Sequence, residues 1–213
     1  EAFHGMTLAS RMTIANMVAE MGGKTGFVTM EGLVLDYPFD FLAPDADANY
    51  SKVFTIDVSG LEPQVSRPES PDQVENIGAS EGQAISYAFI GTCCNGRLED
   101  LQIAAQILKG RQLATGVRML VAPASRKIML AAMADGTLTD LVAAGVTIIN
   151  PGCGTCVGTH QGVPAKGEIV ISAANRNFRG RMGNPHSSIY LAAPATVAAS
   201  ALEGCIVNPK KYL

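Results

Sequence analysis

The chain has 213 residues, of which 47% are hydrophobic and 16% are charged, and its net charge is −3. This length and composition predict a globular protein with one substantial core or two modest domains. The lack of a broad basic field argues against nucleic acid as a partner and favours a small molecule or a protein.

Residues 1–60 are predicted to hold a helix and then a strand. In residues 7–26, TLASRMTIANMVAEMGGKTG, apolar side chains recur at helical spacing until Gly22-Gly23, a common helix end. Residues 53–59, VFTIDVS, alternate between apolar and polar side chains as a strand does. Residues 61–83 carry Pro or Gly at positions 63, 68, 71 and 78, so they are predicted to be a linker.

From residue 84 to residue 213, short apolar strands alternate with amphipathic helices. The predicted strands are AISYAFIG (84–91), VRMLVAP (117–123), VTIIN (146–150) and EIVISAA (168–174). The predicted helices are LEDLQIAAQILKG (98–110), SRKIMLAAMADG (125–136), TLTDLVAAG (137–145) and PATVAASALEG (194–204). Strands without strict alternation, separated by helices, indicate a buried parallel sheet. The predicted fold class is therefore α/β, with a parallel sheet and helices on both faces.

Two cysteine motifs each follow a predicted strand: GTCCNGR at 91–97 and NPGCGTCVG at 150–158. Open α/β sheets bind ligands at the carboxyl ends of their strands, so both motifs are expected to face one crevice. The second motif is a Cys-x-x-Cys, which brings two thiolates to one metal or cluster, and Cys93 or Cys94 can supply a third. A cubane held by three thiolates leaves one iron open to act as a Lewis acid. A Cys-x-x-Cys is also found in redox pairs and zinc half-sites, and these remain alternatives.

The cysteine content also bears on the compartment. Five cysteines, including an adjacent pair, suit metal binding in a reducing compartment better than a disulfide framework, and Cys205 is interpreted as a simple buried or surface thiol. The apolar segments are too short to cross a membrane, and the first residues do not resemble a secretory signal. We therefore expect a cytosolic protein with no membrane partner.

An arginine-rich stretch, NRNFRGRMGNP, follows the predicted strand 168–174. It carries Asn175, Arg176, Asn177, Arg179 and Arg181. Guanidinium groups bind carboxylates through two hydrogen bonds, so the stretch suits a substrate with two or three carboxylates. A solvated surface turn and a phosphate site are the alternatives.

Three segments together resemble the aconitase superfamily: GTCCNGRLEDLQIAAQILKGR, PGCGTCVGTHQG and NRNFRGRMGNP. Their order and spacing are most similar to the separate large subunits of 3-isopropylmalate dehydratase and homoaconitase. The resemblance extends to GMTLASRMTIANMVAEMGGKTG, before the family's central glycines, and to LEPQVSRPESPDQV, its link into the third domain. It implies an aconitase domain-3-like, cluster-binding α/β domain at 84–213, preceded at 1–60 by the C-terminal part of a second α/β domain.

Carried over residue by residue, the resemblance implies a set of site residues. The ligands of one 4Fe-4S cluster fall on Cys93, Cys153 and Cys156. The family's Asn-Arg-Asn-Phe-x-Gly-Arg motif places substrate and cluster-pocket residues at Asn175, Arg176 and Arg181. Glu20 matches an acidic residue near the substrate hydroxyl and is the implied catalytic residue. The family usually has Thr after its first cysteine ligand, so Cys94 departs from the pattern and competes with Cys93.

The resemblance also implies partners. Family large subunits begin with a domain that supplies active-site His and Asp residues, and the catalytic serine lies on a swivelling small subunit. No segment of this chain is similar to either, and Glu1 corresponds to the middle of the second domain. We therefore expect a fragment or one part of a split enzyme, inactive alone, whose partners are the small subunit and the N-terminal large-subunit region.

The activity implied by the resemblance is a hydro-lyase reaction, in which a hydroxy polycarboxylic acid is isomerised by dehydration and rehydration. We favour 3-isopropylmalate, in leucine biosynthesis, because separate large subunits of this kind are commonest there. Homoaconitate, dimethylmalate and citrate are alternative substrates, and a non-catalytic iron–sulfur binding module is an alternative function. RNA binding of the kind shown by some cluster-free aconitases is disfavoured by the acidic charge balance.

Overall fold

The computed structural model describes residues 2–38 and 43–213. The chain divides into two compact units, Glu1–Leu61 and Glu62–Leu213. Glu1, whose correspondence was inferred above, lies outside the described residues. Within the described ranges, no helix is long and apolar enough to cross a membrane.

The first unit begins with the helix that the sequence predicts. Helix α1 (Leu8–Met17) starts at Thr7, whose Oγ1 accepts a hydrogen bond from the backbone N–H of Ser10 at 3.1 Å, as an N-cap does. A 3-10 helix, Val18–Met21, extends α1 and ends at Gly22, which has a φ of 82°. The predicted helix and its glycine end are therefore confirmed.

Arg11 is the buried centre of the first unit. Its guanidinium donates hydrogen bonds to the backbone oxygens of Thr29 and Phe3 at 2.5 Å, of Glu31 at 2.8 Å and of Met6 at 3.2 Å. These bonds join α1 to the chain before and after it. Because buried carbonyl groups need donors, Arg11 acts as structural support for α1.

The strand predicted at 53–59 is wrong. The structure describes this segment fully and gives it no strand, and Val53, Phe54 and Ile56 are largely exposed. Alternation alone does not make a strand, because a strand also needs a neighbour with which to pair its backbone groups. No such neighbour lies within the described part of the first unit.

The second unit is an α/β unit built on one sheet of seven strands in the order β2-β1-β7-β6-β3-β4-β5. The strands are β1 (Gln64–Ser66), β2 (Val74–Asn76), β3 (Tyr87–Gly91), β4 (Arg118–Ala122), β5 (Thr147–Ile148), β6 (Ile169–Ser172) and β7 (Ser188–Ala192). The helices are α2 (Thr92–Asn95), α3 (Leu98–Leu108), α4 (Arg126–Ala134), α5 (Thr137–Ala143), α6 (Gly154–Val157) and α7 (Pro194–Glu203). The eight elements predicted from residue 84 onward are therefore confirmed.

The sheet is mostly parallel but mixed, which corrects the expectation of a wholly parallel sheet. Strands β3 to β7 pair in parallel, whereas β1 pairs antiparallel with both β7 and β2. Strands β1 and β2 lie in the segment 61–83 that the sequence predicts to be a linker. Each has three residues, which is too short to show alternation in the sequence.

The two faces of the sheet are covered differently. On β3, Ala88 and Ile90 pack on one face, in the core formed with α3, α4, α5 and α7, and Tyr87 and Phe89 pack on the other. This second face is covered within the described residues by the segments before and after β6, residues 150–168 and 173–187, whose only helix is the four-residue α6. The expectation of helices on both faces therefore needs correction, because a chain rich in Gly and Pro covers the second face without forming long helices.

The strand order reverses beside β3. The chain runs outward from β3 through β4 to β5 on one side, and from β6 to β7 on the other side. In an open α/β sheet, such a reversal opens a crevice between the loops that leave the two neighbouring strands. Here those loops follow β3 and β6, and they carry the first cysteine motif and the arginine-rich stretch.

Candidate metal centre

The first cysteine turn, residues 91–96, is pressed against the end of β4. A Cβ atom at Gly91 or Gly96 would lie 2.6 Å or 2.5 Å from the carbonyl oxygen of Ala122. Between them Thr92 has a φ of 72°, a left-handed conformation that is uncommon for a β-branched residue. Strain of this kind is often found where a backbone must aim a functional side chain.

The turn directs its two cysteines differently. Cys93 is exposed, whereas Cys94 is buried with 1% of its surface accessible. The pKa of Cys94 is raised to about 12, chiefly by burial and also by the neighbouring thiols of Cys93 and Cys156, although Arg97 acts in the opposite direction. A thiol of this pKa stays protonated at neutral pH, and metals bind the thiolate. This arrangement favours Cys93 over Cys94 as a metal ligand.

The second cysteine turn is closed by its own hydrogen bonds. Cys153 is exposed immediately before α6, and Cys156 is buried within α6 with 5% of its surface accessible. Thr155 donates a hydrogen bond from Oγ1 to the backbone oxygen of Gln161 at 2.8 Å. This bond holds the segment after α6 against the turn. The dependence of the Cys94 pKa on Cys156 indicates that this turn lies near the first one.

His160 lies directly against the second turn, and sequence reasoning did not single it out. A Cβ atom at Gly154 would fall 2.1 Å from the imidazole Cε1, so only glycine leaves room for the ring. The GTHQG sequence that follows the Cys-x-x-Cys is the one signal that could have indicated this packing.

The arginine-rich stretch begins at the end of β6. Asn175 is buried and Arg176 is half-buried. Asn95, at the end of the first cysteine turn, donates from Nδ2 to the backbone oxygen of Ala173 at 2.7 Å. The structure thereby joins the first cysteine turn to the chain that leads into Asn175 and Arg176.

Arg181 joins the same stretch to the second cysteine turn. Its Nε donates to the backbone oxygen of Cys156 at 2.8 Å, and its Nη2 donates to Cys156 Sγ at 3.4 Å. Arg179 differs, because it is exposed and its Nε donates to the backbone oxygen of Pro185 at 3.0 Å. Of the two arginines, Arg181 is therefore the one bound to a predicted ligand.

Asn177 anchors the middle of the stretch and was not predicted as a site residue. Its buried Nδ2 donates to Ser66 Oγ at 3.3 Å, to the backbone oxygen of Arg67 at 2.7 Å and to that of Ile189 at 3.2 Å. These bonds tie the arginine-rich stretch to β1 and β7. The alternative of a loosely solvated turn is therefore disfavoured.

Glu20, the predicted catalytic residue, lies in the first unit. It is half-buried in the 3-10 helix Val18–Met21, which continues α1. Its backbone position is set by the glycine end of this helix and, through α1, by the buried Arg11.

The three predicted cluster ligands suit an iron–sulfur cubane in their chemistry, because thiolates are its usual protein ligands. Cys93, Cys153 and Cys156 stand on two neighbouring turns, and none of the cysteines in the described chain forms a disulfide. Among the described residues, no three His, Cys, Asp or Glu side chains converge closely enough to hold one metal ion. In a cubane each thiolate binds a different corner iron, so its ligands stand farther apart than those of a single ion.

Comparison with known proteins adds independent information. A family model described as the aconitase family (aconitate hydratase) matches residues 75–204. The chain is 47% identical to a 3-isopropylmalate dehydratase large subunit 2 from Archaeoglobus fulgidus, over 99% of this chain and 54% of the relative. It is 48% identical to a probable methanogen homoaconitase large subunit from Methanosarcina mazei, over 99% and 55%, and to a homoaconitase large subunit from Thermus thermophilus, over 97% and 50%. The chain thus spans about half the length of these relatives.

Proposed function

This chain belongs to the aconitase family, and from that premise we propose that it forms the cluster-bearing part of the large subunit of a hydro-lyase. The proposed enzyme isomerises a hydroxy polycarboxylic acid by dehydration and rehydration. The observation that carries this proposal is the hydrogen-bonded pair Arg181 and Cys156, since it puts a carboxylate-binding group beside a cluster ligand.

We propose that Cys93, Cys153 and Cys156 hold one 4Fe-4S cluster and that residues 84–213, within the unit Glu62–Leu213, form the cluster-binding domain. When bound, a cluster with one iron open to substrate supplies a Lewis acid for the hydroxyl group that leaves. Cys93 and Cys153 are exposed, so a bound cluster would be accessible from the side on which these two cysteines lie.

The remaining predicted residues would bind and orient the substrate. Arg176 and Arg181 would hold two carboxylates through paired hydrogen bonds, and Asn175, buried at the base of the same stretch, would help to fix them. Glu20 would exchange a proton with the substrate hydroxyl. We propose that the other active-site residues come from a small subunit and an N-terminal large-subunit region, which complete the site.

We favour 3-isopropylmalate as the substrate and leucine biosynthesis as the pathway. Relatives named for 3-isopropylmalate and for homoaconitate are equally similar to this chain, at 47% and 48% identity, so the preference rests on the greater frequency of the former enzyme. Homoaconitate, dimethylmalate and citrate are the alternatives. Thiolate ligands persist in reducing compartments, which favours a cytoplasmic location.

The test is a reconstitution of activity from parts. The chain is produced alone and together with a matching small subunit and N-terminal large-subunit region, and each preparation is assayed anaerobically with the four substrates. We expect turnover only from the complete assembly and fastest with 3-isopropylmalate. Turnover by the chain alone would contradict its dependence on partners. A complete, cluster-loaded assembly that dehydrates none of the four acids would identify a non-catalytic iron–sulfur module instead.

A further inference from the structure

Arg181 holds Cys156 at two points. One hydrogen bond reaches the backbone oxygen of Cys156 and the other reaches its sulfur. A single planar guanidinium therefore binds both the main chain and the side chain of the same residue. Such a bridge fixes the rotation of the cysteine side chain as well as the position of its backbone. The ring of Phe178, with its centroid 5.5 Å from the Arg181 Cζ, lies beside the guanidinium.

The bridge leaves most of the guanidinium for other partners. Arginine has five N–H donors, and the two bonds to Cys156 use one on Nε and one on Nη2. A carboxylate can therefore bind the same guanidinium while the contacts with Cys156 persist. Substrate binding and cysteine orientation are thereby coupled through one side chain.

We propose that Arg181 is a positioning residue for Cys156: it orients the cysteine sulfur as a cluster ligand and donates a hydrogen bond to it, in addition to any contact with substrate. This inference rests on the proposed function in so far as the sulfur binds a cluster. Hydrogen bonds to ligand sulfurs help to set the reduction potential of an iron–sulfur cluster, and outer partners of metal ligands strengthen metal retention.

Replacement of Arg181 by lysine distinguishes the positioning of Cys156 from a simple effect of the positive charge. Lysine keeps the positive charge, but its single ammonium group lacks the planar fork that bonds the backbone oxygen and the sulfur together. Arg179→Lys is the matched control, because Arg179 is exposed, lies two residues away and bonds only to Pro185 among the contacts the structure gives it.

The experiment compares the parent 213-residue chain, Arg181→Lys and Arg179→Lys after anaerobic reconstitution with iron and sulfide. We expect Arg181→Lys to lower the cluster's reduction potential and to lose iron to a chelator about tenfold faster, as is typical when a partner of a metal ligand is removed. Arg179→Lys should match the parent in both. Equal reduction potentials in all three proteins would overturn the inference. This holds even if Arg181→Lys loses iron faster, because a general loosening of the fold would explain that loss.

A second readout uses the metal-free chain and keeps the inference separate from the proposed cluster. Amide hydrogen exchange is measured in residues 154–158, the helix α6 and its glycine end. Faster exchange confined to this segment in Arg181→Lys, and absent in Arg179→Lys, is the expected result. If none of the proteins takes up iron, the proposed cluster fails, and unchanged exchange in α6 would overturn the positioning role as well.

Discussion

Asn95 and Ala173 are 78 residues apart in the chain, and a 2.7 Å hydrogen bond from Asn95 Nδ2 to the carbonyl oxygen of Ala173 joins them at the point where the strand order reverses. The bond crosses from the turn after β3 to the chain that leaves β6. It therefore holds the first cysteine turn at a fixed distance from the arginine-rich stretch.

Replacement of Asn95 by alanine tests the importance of this bond. The change removes a part-buried hydrogen bond and leaves the Ala173 oxygen without its donor, so we expect the free energy of unfolding to fall by about 1–3 kcal/mol. Gln112→Ala is the control, since Gln112 donates a similar bond to the backbone oxygen of Ala143 at 2.9 Å from an exposed position. Urea unfolding should show a loss of under about 0.5 kcal/mol for the control. Equal losses would contradict a special role for the Asn95 bond.

Gly96 tests how tightly the first cysteine turn is packed. An added Cβ would lie 2.5 Å from the Ala122 oxygen and 2.8 Å from the Thr92 oxygen, and backbone atoms cannot rotate away. We expect Gly96→Ala to cost about 1–3 kcal/mol of stability, as other overpacked sites do. Gly78→Ala adds the same methyl group where no atom lies within 4 Å, and its melting temperature should stay within a few degrees of the parent. A Gly96→Ala protein as stable as the parent would show that the turn has room for a methyl group and is not tightly packed against Ala122.

Asp100 gives the chain a pH dependence of defined sign. Burial raises the pKa of Asp100 to about 6, although a hydrogen bond from the Arg97 N–H opposes the shift. Because the folded chain then holds a proton that the unfolded chain has released, stability should fall as the pH rises from about 4 to about 6. Asp100→Asn keeps an oxygen acceptor for Arg97 and removes the charge. It should therefore match the parent near pH 3.5 and be more stable at pH 7 by about 1–2 kcal/mol, after allowance for partial solvent screening.

Asp135 is the control for this measurement, because its pKa is shifted in the opposite direction to that of Asp100. Hydrogen bonds from Thr137, by its side chain and its backbone, lower the pKa of Asp135 below its ordinary value. The carboxylate therefore adds stability above pH 4 that is lost as the pH falls through its folded pKa. Urea unfolding at several pH values should show Asp135→Asn less stable than the parent at pH 7. An Asp100→Asn variant that is also less stable at pH 7 would contradict the assignment for Asp100.

Local patterns predicted much of the second unit and both cysteine motifs. Helix α3 was predictable because its apolar positions recur with helical spacing, and its five buried residues lie on that stripe. The motif after β3 could be placed at the edge of the sheet because a parallel strand ends there. These are properties of contiguous residues, which a sequence displays directly.

Features that depend on distant partners were not predictable in the same way. The segment 53–59 alternates as a strand does, yet pairing needs a neighbour that its own sequence cannot supply. The burial of Cys94 and the exposure of Cys93, in a turn where Thr92 is left-handed, are features that no periodicity indicates. The bond from Arg181 to Cys156 joins residues 25 positions apart, and only the folded second face of the sheet brings them together.

Iron content measured after anaerobic reconstitution of serine variants tests most directly whether Cys93, Cys153 and Cys156 hold one cluster. The parent chain should bind about four irons and show the broad visible absorbance of a cubane. Cys94→Ser and Cys205→Ser should keep this iron, whereas Cys93→Ser, Cys153→Ser and Cys156→Ser should lose most of it. A single tightly bound zinc in the parent, or a Cys94→Ser variant that loses its iron while Cys93→Ser keeps it, would contradict the claim.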